Sequence, residues 1–312
     1  MRYQQLGASG LTVSGVGLGC NTFGDTVPGE RVPGIVQAAL DVGVTFFDSA
    51  DLYGSRPGEG EELLGKALSG QRDDVILATK FGMDVGDLNG THWGRRGSRR
   101  YIKRAVEGSL RRLNTDWIDL YQIHEPDEVT PLEETLAALD DLVREGKVRY
   151  VGCSNFAAWQ LTDAAWIANT AGYSQLISAQ NPYSLLKRDI ERELIPAAEN
   201  FGMGILPYYP LASGLLTGKY RRGHKAPEGT RLATRPQRLA DANFDTIEAL
   251  EAFAHARDLE ILDVAIAGLA AQPGVSSVIS GASTPEQVRR NVAAANWVPT
   301  AEDLAELDEL TE

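Results

Sequence analysis

The chain has 312 residues, of which 43% are apolar and 23% are charged. This composition is typical of a globular protein with a substantial core and excludes a disordered chain. Its formal net charge of -13 argues against nucleic-acid binding and against a polybasic membrane contact, because both need clustered positive charge.

The first residues predict a β-hairpin. Two short segments, residues 2–6 and 11–13, flank the turn sequence GASG at residues 7–10, and such a turn favours antiparallel pairing. No apolar run near this end has the length of a signal peptide, and no stretch of the chain has the length of a membrane span. We therefore expect a cytoplasmic protein that does not enter a membrane.

After the hairpin, short apolar or β-branched runs alternate with longer segments of helical periodicity, which is typical of βα units. The predicted strands are residues 16–20, 45–48, 75–80, 118–124, 148–154, 178–180, 204–208 and 275–280. The predicted helices are residues 32–42, 61–68, 99–113, 131–145, 157–171, 189–201, 244–257 and 285–294. Ser283 to Glu286 form a strong helix start, because a hydroxyl cap precedes a proline.

Eight parallel strands with alternating helices form either a closed barrel or an open doubly wound sheet. The run GVGLG at residues 15–19 lies within a strand, and its glycine spacing differs from that of the Rossmann fingerprint. This favours the α/β class with a single (β/α)8 TIM barrel over residues 1–312. The N-terminal hairpin is then expected to plug the barrel floor.

Two long irregular segments interrupt the alternation: the first loop, residues 81–98, and the second loop, residues 212–243. Long ordered loops in compact domains are often lids or binding loops, while a disordered surface insertion is the alternative for each. The first loop and the helix after it carry Arg95, Arg96, Arg99 and Arg100. This basic run is interpreted as a solvated face, with recognition of an acidic substrate as the alternative.

Polar residues at the ends of three successive strands suggest a catalytic group, because active residues of barrels lie where strands end. Asp48 and Tyr53 follow the second strand, Lys80 ends the third and His124 ends the fourth. Taken singly, each has a structural explanation, such as a helix cap, a packed aromatic, a buried ion pair or a core histidine. Together they suit carbonyl reduction, which needs a proton donor where negative charge develops on oxygen.

The chemistry assigns a role to each of the four side chains. Tyr53 donates the proton, and a nearby Lys80 ammonium stabilises the tyrosinate and lowers its pKa from about 10. Asp48 keeps that ammonium charged and in position, and His124 orients and polarises the carbonyl. Other reactive residue types give weaker signals. Cys20 and Cys153 lie far apart and predict neither a disulfide nor a zinc site.

Further residues predict no additional chemistry. Cys153 lies in a predicted strand, where a buried thiol is favoured over a nucleophile. His92 has no second histidine or carboxylate at ligand spacing, so no metal is expected. With Trp93 it is instead a candidate for lining the pocket.

Six motifs in one order make the chain similar to the aldo-keto reductase family over nearly its whole length. They are GVTFFDSADLYG (43–54), TK (79–80), DWIDLYQIH (116–124), GCSNF (152–156), PLASGLLTGKY (210–220) and GASTPEQ (281–287). The chain resembles the bacterial branch related to potassium-channel β subunits. The resemblance implies a barrel, the tetrad of Asp48, Tyr53, Lys80 and His124, and NADP(H) bound in extended form.

The resemblance also implies which residues contact the cofactor. Ser154, Asn155 and Gln180 are expected to hold the carboxamide, and Tyr208 to stack on the nicotinamide ring. The remaining expected contacts include a loop over the pyrophosphate and a helix start at the adenosine 2′-phosphate. They are Gly19, Cys20, Asn21, Asp48, Tyr209, Pro210, Leu211, Ala212, Gly214, Lys219, Arg231, Gly281, Ser283, Gln287, Arg290 and Asn291.

Three positions depart from the family pattern. Asn21 stands where many members carry tryptophan beside the substrate, and Ser280 replaces a usual proline. Arg290 occupies a position where an acid often meets the adenine amine, so it either loses that contact or reaches the 2′-phosphate, which would favour NADP(H) over NAD(H).

The expected function is NADP(H)-dependent reduction of an aldehyde or ketone, with a small-molecule carbonyl substrate as partner. A cofactor-sensing regulatory subunit is the second hypothesis, and a different barrel enzyme such as an isomerase is the third. The sequence fixes neither the particular substrate nor the oligomeric state.

Overall fold

Short β-branched and aromatic runs form the centre of the fold, a ring of eight parallel strands. In this computed structural model, which describes residues 1–311, an antiparallel hairpin of β1 (Tyr3–Gln5) and β2 (Thr12–Ser14) precedes the ring. The eight strands that follow are β3 (Val16–Gly19), β4 (Phe46–Asp48), β5 (Ile76–Phe81), β6 (Ile118–Ile123), β7 (Val148–Ser154), β8 (Leu176–Gln180), β9 (Gly204–Ile205) and β10 (Val278–Gly281).

The ring closes into a barrel. The strands pair in the order β10, β3, β4, β5, β6, β7, β8, β9, and a parallel bridge between Ile205 and Val275 joins the two ends. There, the Ile205 N–H donates to the Gly274 carbonyl at 2.8 Å, and the Ser276 N–H donates to the Ile205 carbonyl at 2.9 Å. The predicted (β/α)8 barrel is confirmed, and the open sheet is excluded.

Helices surround the barrel, and most lie where the sequence predicts them. They are α1 (Val32–Asp41), α2 (Glu59–Ala67), α3 (Arg99–Leu113), α4 (Leu132–Arg144), α5 (Ala158–Ala171), α6 (Leu194–Asn200), α7 (Pro236–Ala240), α8 (Phe244–His255), α9 (Ile261–Ala270), α10 (Pro285–Ala294) and α11 (Ala301–Thr311). The bounds predicted for α3 and α10 are correct to the residue.

Some predicted elements differ from the structure for identifiable reasons. The predicted helix 189–201 is a 3-10 turn, Asp189–Glu191, followed by α6, because Pro196 lacks an N–H and is tolerated only in the first turn of a helix. The predicted strand 204–208 ends at Ile205, shortly before Pro207. Helix α9 was not predicted, because it is buried on nearly all sides and its sequence shows no polar face.

The hairpin closes one end of the barrel. Leu6, Leu11 and Val13 pack inside against residues of the barrel strands, including Phe46 and Leu120. The Ala8 N–H donates to the carbonyl of Gly202 at 2.7 Å, just before β9. The predicted plug is confirmed, so a site is accessible only at the carboxyl ends of the strands.

The glycines of the GVGLG run serve barrel packing. A Cβ atom on Gly17 would lie 2.9 Å from both the Ile279 Cδ1 and the Phe46 Cδ1 atoms, closer than real Cβ contacts. The position therefore needs glycine because the barrel interior is crowded there. Within residues 1–311, no helix has both the length and the apolar character needed to cross a bilayer.

Candidate active site

The carboxyl ends of β4 and β5 bring three of the predicted catalytic side chains together. Lys80 has no solvent exposure, and its Nζ donates to the Asp48 Oδ2 atom at 2.6 Å and to the Ser49 carbonyl at 2.8 Å. The same Nζ lies 3.3 Å from the Tyr53 hydroxyl oxygen. The structure therefore places a buried ammonium between a carboxylate and a phenol, in the arrangement that the sequence predicts.

Two amide side chains hold the other oxygen of Asp48. The Nε2 atoms of Gln122 and Gln180 each donate to Asp48 Oδ1 at 3.1 Å. Gln122 was not among the predicted site residues, although it pairs in register with Lys80 on the neighbouring strand. A polar amide within the apolar strand β6 was the signal that could have found it, because buried polar groups need partners.

His124 lies against Tyr53 and is neutral. The two ring centroids are 5.9 Å apart at an interplanar angle of 86°. Burial, aided by the positive charge of Lys80, lowers the pKa of His124 to about 3. Its Nδ1 atom is buried and has no hydrogen-bond partner among residues 1–311.

Burial and Lys80 act in opposite directions on Tyr53. Lys80 lowers the pKa of the phenol, as the sequence analysis expects, but burial raises it more, so the net shift is upward. The phenol of the folded protein therefore keeps its proton at neutral pH. This correction arises because the sequence shows the charge partner and not the loss of water around the hydroxyl.

The predicted nicotinamide contacts form one hydrogen-bonded group beside His124. The Tyr208 hydroxyl donates to Asn155 Oδ1 at 2.7 Å, and Asn155 Nδ2 donates to the His124 carbonyl at 3.0 Å. The Ser154 hydroxyl donates to the Gln180 carbonyl at 2.8 Å. These residues and the tetrad are thus neighbours at the same end of the barrel.

The predicted pyrophosphate loop has an unusual backbone. Tyr209, Ala212, Ser213 and Gly214 all have φ between 47° and 92°, and successive peptide N–H groups in such turns can form an anion-binding concavity. Pro210 and Leu211 lie within the same loop, directly after Tyr209.

Two cations flank this loop. The Arg231 guanidinium lies 5.1 Å from the Tyr209 ring centroid. The Lys219 Nζ atom lies beside Gly214, since a Cβ atom placed on that glycine would be 2.8 Å from it. Neither cation forms a salt bridge in residues 1–311. Cations without acid partners beside such a loop fit the doubly anionic pyrophosphate of a dinucleotide.

Several of the other predicted cofactor contacts meet where β3 and β10 end. Gly19 pairs in register with Gly281, and Asn21 Oδ1 would lie 3.6 Å from a Cβ on Gly281. Cys20 is buried, and its N–H donates to the Asp48 carbonyl at 2.9 Å. The weak contact from Asn291 Nδ2 to the Gly281 carbonyl spans 3.4 Å.

The start of α10 completes this group. Gln287 Oε1 accepts from the Ser283 N–H at 2.7 Å, and Thr284, directly before Pro285, caps the helix by accepting from the Gln287 N–H. Arg290 is bound at 2.6 Å to Glu260 on the surface, and both side chains are more than half exposed. A phosphate can therefore compete for this arginine at small cost, since exposed ion pairs contribute about 0 to 1 kcal/mol.

The first loop lies beside the site, since its Asn89 donates a hydrogen bond to Asp51. The Trp93 side chain is 70% exposed, and the Arg100 guanidinium lies over its ring, 5.0 Å from the ring centroid. Arg99 forms a salt bridge with Asp141, as in the solvated-face interpretation. Among residues 1–311 there is no cluster of three or more histidine, cysteine, aspartate or glutamate side chains placed to hold a metal ion.

The strand ends of this barrel bring together a buried acid, a lysine and a tyrosine beside a neutral histidine, which is a set of side chains typical of an enzyme active site. Comparison with known proteins defines the class of enzyme. The model of the aldo/keto reductase family matches residues 15–312, and the chain belongs to this family. Members generally use a nicotinamide cofactor and act on small carbonyl compounds, so this chain is an oxidoreductase.

Relatives with several different names are similar to the chain over nearly their whole length. A probable voltage-gated potassium channel subunit beta of Oryza sativa is 35% identical, with 96% of this chain and 92% of that protein covered. An L-glyceraldehyde 3-phosphate reductase of Escherichia coli O157:H7 is 34% identical, with 99% and 92% covered. A versiconal hemiacetal acetate reductase of Aspergillus parasiticus is 33% identical, with 99% and 96% covered.

Proposed function

We propose that the protein is an NADP(H)-dependent reductase that converts an aldehyde or ketone to an alcohol, with Tyr53 as the general acid. The observation that carries the proposal is the Lys80 ammonium, fully buried between Asp48 at 2.6 Å and the Tyr53 hydroxyl at 3.3 Å. Such an ammonium stabilises negative charge on the phenol as the proton leaves.

Each member of the tetrad has a distinct part in this reaction. The nicotinamide, when bound, supplies the hydride to the carbonyl carbon. Tyr53 gives its proton to the carbonyl oxygen, and Lys80 stabilises the tyrosinate that remains. Asp48, held by Gln122 and Lys80, keeps the ammonium charged and fixed. His124 is neutral, so it orients the carbonyl oxygen by a hydrogen bond without competing for the proton.

The same proposal assigns the cofactor contacts. Ser154, Asn155 and Gln180 hold the carboxamide, and Tyr208 lies against the ring. Gln180 must then exchange its hydrogen bond with Asp48 for one with the carboxamide, which is reasonable because Gln122 remains on the same oxygen. Lys219 and Arg231 bind the pyrophosphate, and Arg290 turns from Glu260 to the 2′-phosphate.

The preference for NADP(H) rests on Arg290, because a guanidinium pairs well with a phosphate and has no such partner on NAD(H). We place the enzyme in the cytoplasm, where its two free buried cysteines, Cys20 and Cys153, stay reduced.

The test has a binding arm and a turnover arm. NADPH and NADH binding is measured by quenching of tryptophan fluorescence, and reduction of small aldehydes by loss of NADPH absorbance. We expect tighter binding of NADPH, together with turnover. Tight binding without turnover would instead support a cofactor-sensing regulatory subunit; the Oryza relative is named a probable subunit of a potassium channel.

Tyr53→Phe separates the two arms. It is expected to leave the Kd for NADPH nearly unchanged and to lower the rate of carbonyl reduction by at least about 100-fold, the effect of losing a general acid. Equal rates in the variant and the wild type would remove Tyr53 from the mechanism.

A further inference from the structure

A second buried network adjoins the tetrad and is centred on Asp51, which lies between Asp48 and Tyr53 in the sequence. Asp51 has no solvent exposure, and its Oδ2 atom accepts from Asn89 Nδ2 at 2.8 Å. Glu61 is also fully buried and binds Arg112 at 2.7 Å. The tetrad uses none of these residues, so the network needs an explanation of its own.

The network connects three parts of the structure that surround the site. Asp51 lies two residues before Tyr53, in the segment between β4 and α2. Asn89 belongs to the first loop, and its Nδ2 also contacts the Tyr101 hydroxyl on α3 at 3.2 Å. A change in the Asp51 to Asn89 contact therefore acts on the backbone that carries the proton donor and on the loop beside it.

Charge balance decides the protonation state of Asp51. If every acid is ionised, the buried carboxylates of Asp48, Asp51 and Glu61 face only two cations, Lys80 and Arg112. Lys80 is bound to Asp48, and Arg112 to Glu61. Asp51 thus has no cation of its own, and its Oδ1 atom has no hydrogen-bond partner within residues 1–311. An unpaired buried carboxylate is strongly disfavoured, and the usual response is to take up a proton.

We propose that Asp51 is a positioning residue for Tyr53: in its neutral, protonated form it holds the Tyr53 segment in place by accepting a hydrogen bond from Asn89, and its ionisation leaves an unpaired buried charge that moves this segment out of place. The proposal rests on the reductase function proposed above. The titratable and polar groups that face Asp51 come from α2, the first loop, α3 and strands β5 and β6, and they are Glu61, Asn89, Arg112, Tyr101, Lys80 and Tyr121.

The electrostatic surroundings agree with this geometry. Burial, and next the negative charge of Glu61, raise the pKa of Asp51 to about 8, against the opposing effects of Arg112 and Asn89. Ionisation above that pH adds an unpaired charge beside Glu61. Movement of the Asp51 segment towards water removes this charge from the interior at the smallest cost in free energy. The same movement displaces the Tyr53 hydroxyl from Lys80.

Two substitutions at one position test the proposal. Asp51→Asn keeps the shape and the neutral charge, whereas Asp51→Ala removes the contact with Asn89. At pH 6.5 we expect Asp51→Ala to lower kcat by about 10-fold or more, as small misplacements of reacting groups do, and to leave the Kd for NADPH unchanged. We expect the kcat of the wild type to fall above about pH 8, and we expect Asp51→Asn to recover most of the loss seen in Asp51→Ala and to remove this alkaline fall.

Two further variants complete the design. Asp87→Asn is the matched control, because Asp87 is an exposed acid of the first loop, which also contains Asn89. This variant should retain the wild-type pH profile. Asn89→Ala removes the other partner, so its effect on kcat should match that of Asp51→Ala, and the double variant should be no worse than either. Additive effects, or an alkaline fall that persists in Asp51→Asn, would overturn the proposal.

A measurement without turnover keeps this proposal distinct from the proposed function. The folded wild type retains a proton on Asp51 that the unfolded chain loses near pH 4. Its free energy of unfolding should therefore fall relative to that of Asp51→Asn as the pH rises from 5 to 7.5. Parallel urea-unfolding curves would show that Asp51 is not protonated. A reductase-inactive wild type with diverging curves would refute the function alone.

Discussion

Removal of the Lys80 ammonium is the most informative perturbation of the site. Lys80→Met keeps an unbranched apolar stem and deletes a charge that has no solvent exposure. Asp48 then remains buried with two amide donors, Gln122 and Gln180, and no cation. At an effective dielectric constant of about 20, charges 2.6 Å apart attract by about 6 kcal/mol before desolvation is subtracted.

The expected cost is smaller than this attraction. Removing one partner of a buried ion pair destabilises a protein by about 3 to 5 kcal/mol, and the two amide hydrogen bonds favour the lower end of that range. For a chain of this length, a loss of about 3 kcal/mol lowers Tm by about 5 °C. Urea unfolding at pH 7, where the carboxylate is ionised in the unfolded chain, gives the free energy directly.

A double variant identifies the cause. If the cost arises from the unpaired carboxylate, then Lys80→Met combined with Asp48→Leu should lose much less stability than the sum of the two single variants. A loss below about 1 kcal/mol for Lys80→Met alone, or strictly additive effects in the double variant, would refute the view that these charges hold each other in place.

Three further predictions concern other parts of the molecule. Burial lowers the pKa of His124 to about 3, whereas the same imidazole in the unfolded chain takes up a proton below about pH 6.5. The wild type should therefore lose stability more steeply than His124→Gln as the pH falls from 6.5 to 4. Urea midpoints that fall in parallel would contradict this. Gly17→Ala should lower the free energy of unfolding by about 1 to 3 kcal/mol through overpacking. Gly34→Ala in α1, with no atom within 4 Å of the added Cβ, should raise it by about 0.5 to 1 kcal/mol. Thermal unfolding measures both, and equal changes would argue against crowding at Gly17. Arg290→Ala should weaken NADPH binding by about 10-fold, the effect of one charged hydrogen bond, and leave NADH binding unchanged in calorimetric titrations; an equal loss for both cofactors would place Arg290 away from the 2′-phosphate.

The local elements were predictable wherever a periodic pattern records which face is buried. Strand β7 and helices α3 and α10 have the predicted bounds, because their apolar residues repeat with the period of the element. Helix α9 has apolar or small residues at nearly every position, so no period marks it. A one-sided pattern is visible in a sequence, but burial on all sides is not.

The tetrad could be found from the sequence because barrel strands carry their reactive residues at one end. Residues that follow the ends of neighbouring strands are therefore expected to lie close together in space. This argument brought Asp48, Tyr53, Lys80 and His124 into one site. It did not include Gln122, because the polar amide within strand β6 indicates that a partner is needed but does not identify Asp48, 74 positions away in the chain, as that partner.

The sequence by itself thus determined the order of elements, the barrel and the types of side chain at its open end. The tertiary structure decided how those side chains are charged. The upward shifts in the pKa values of Tyr53 and Asp51 and the downward shift in that of His124 have loss of water around each group as their largest cause. Desolvation depends on atoms packed from distant parts of the chain, and only the folded arrangement specifies them.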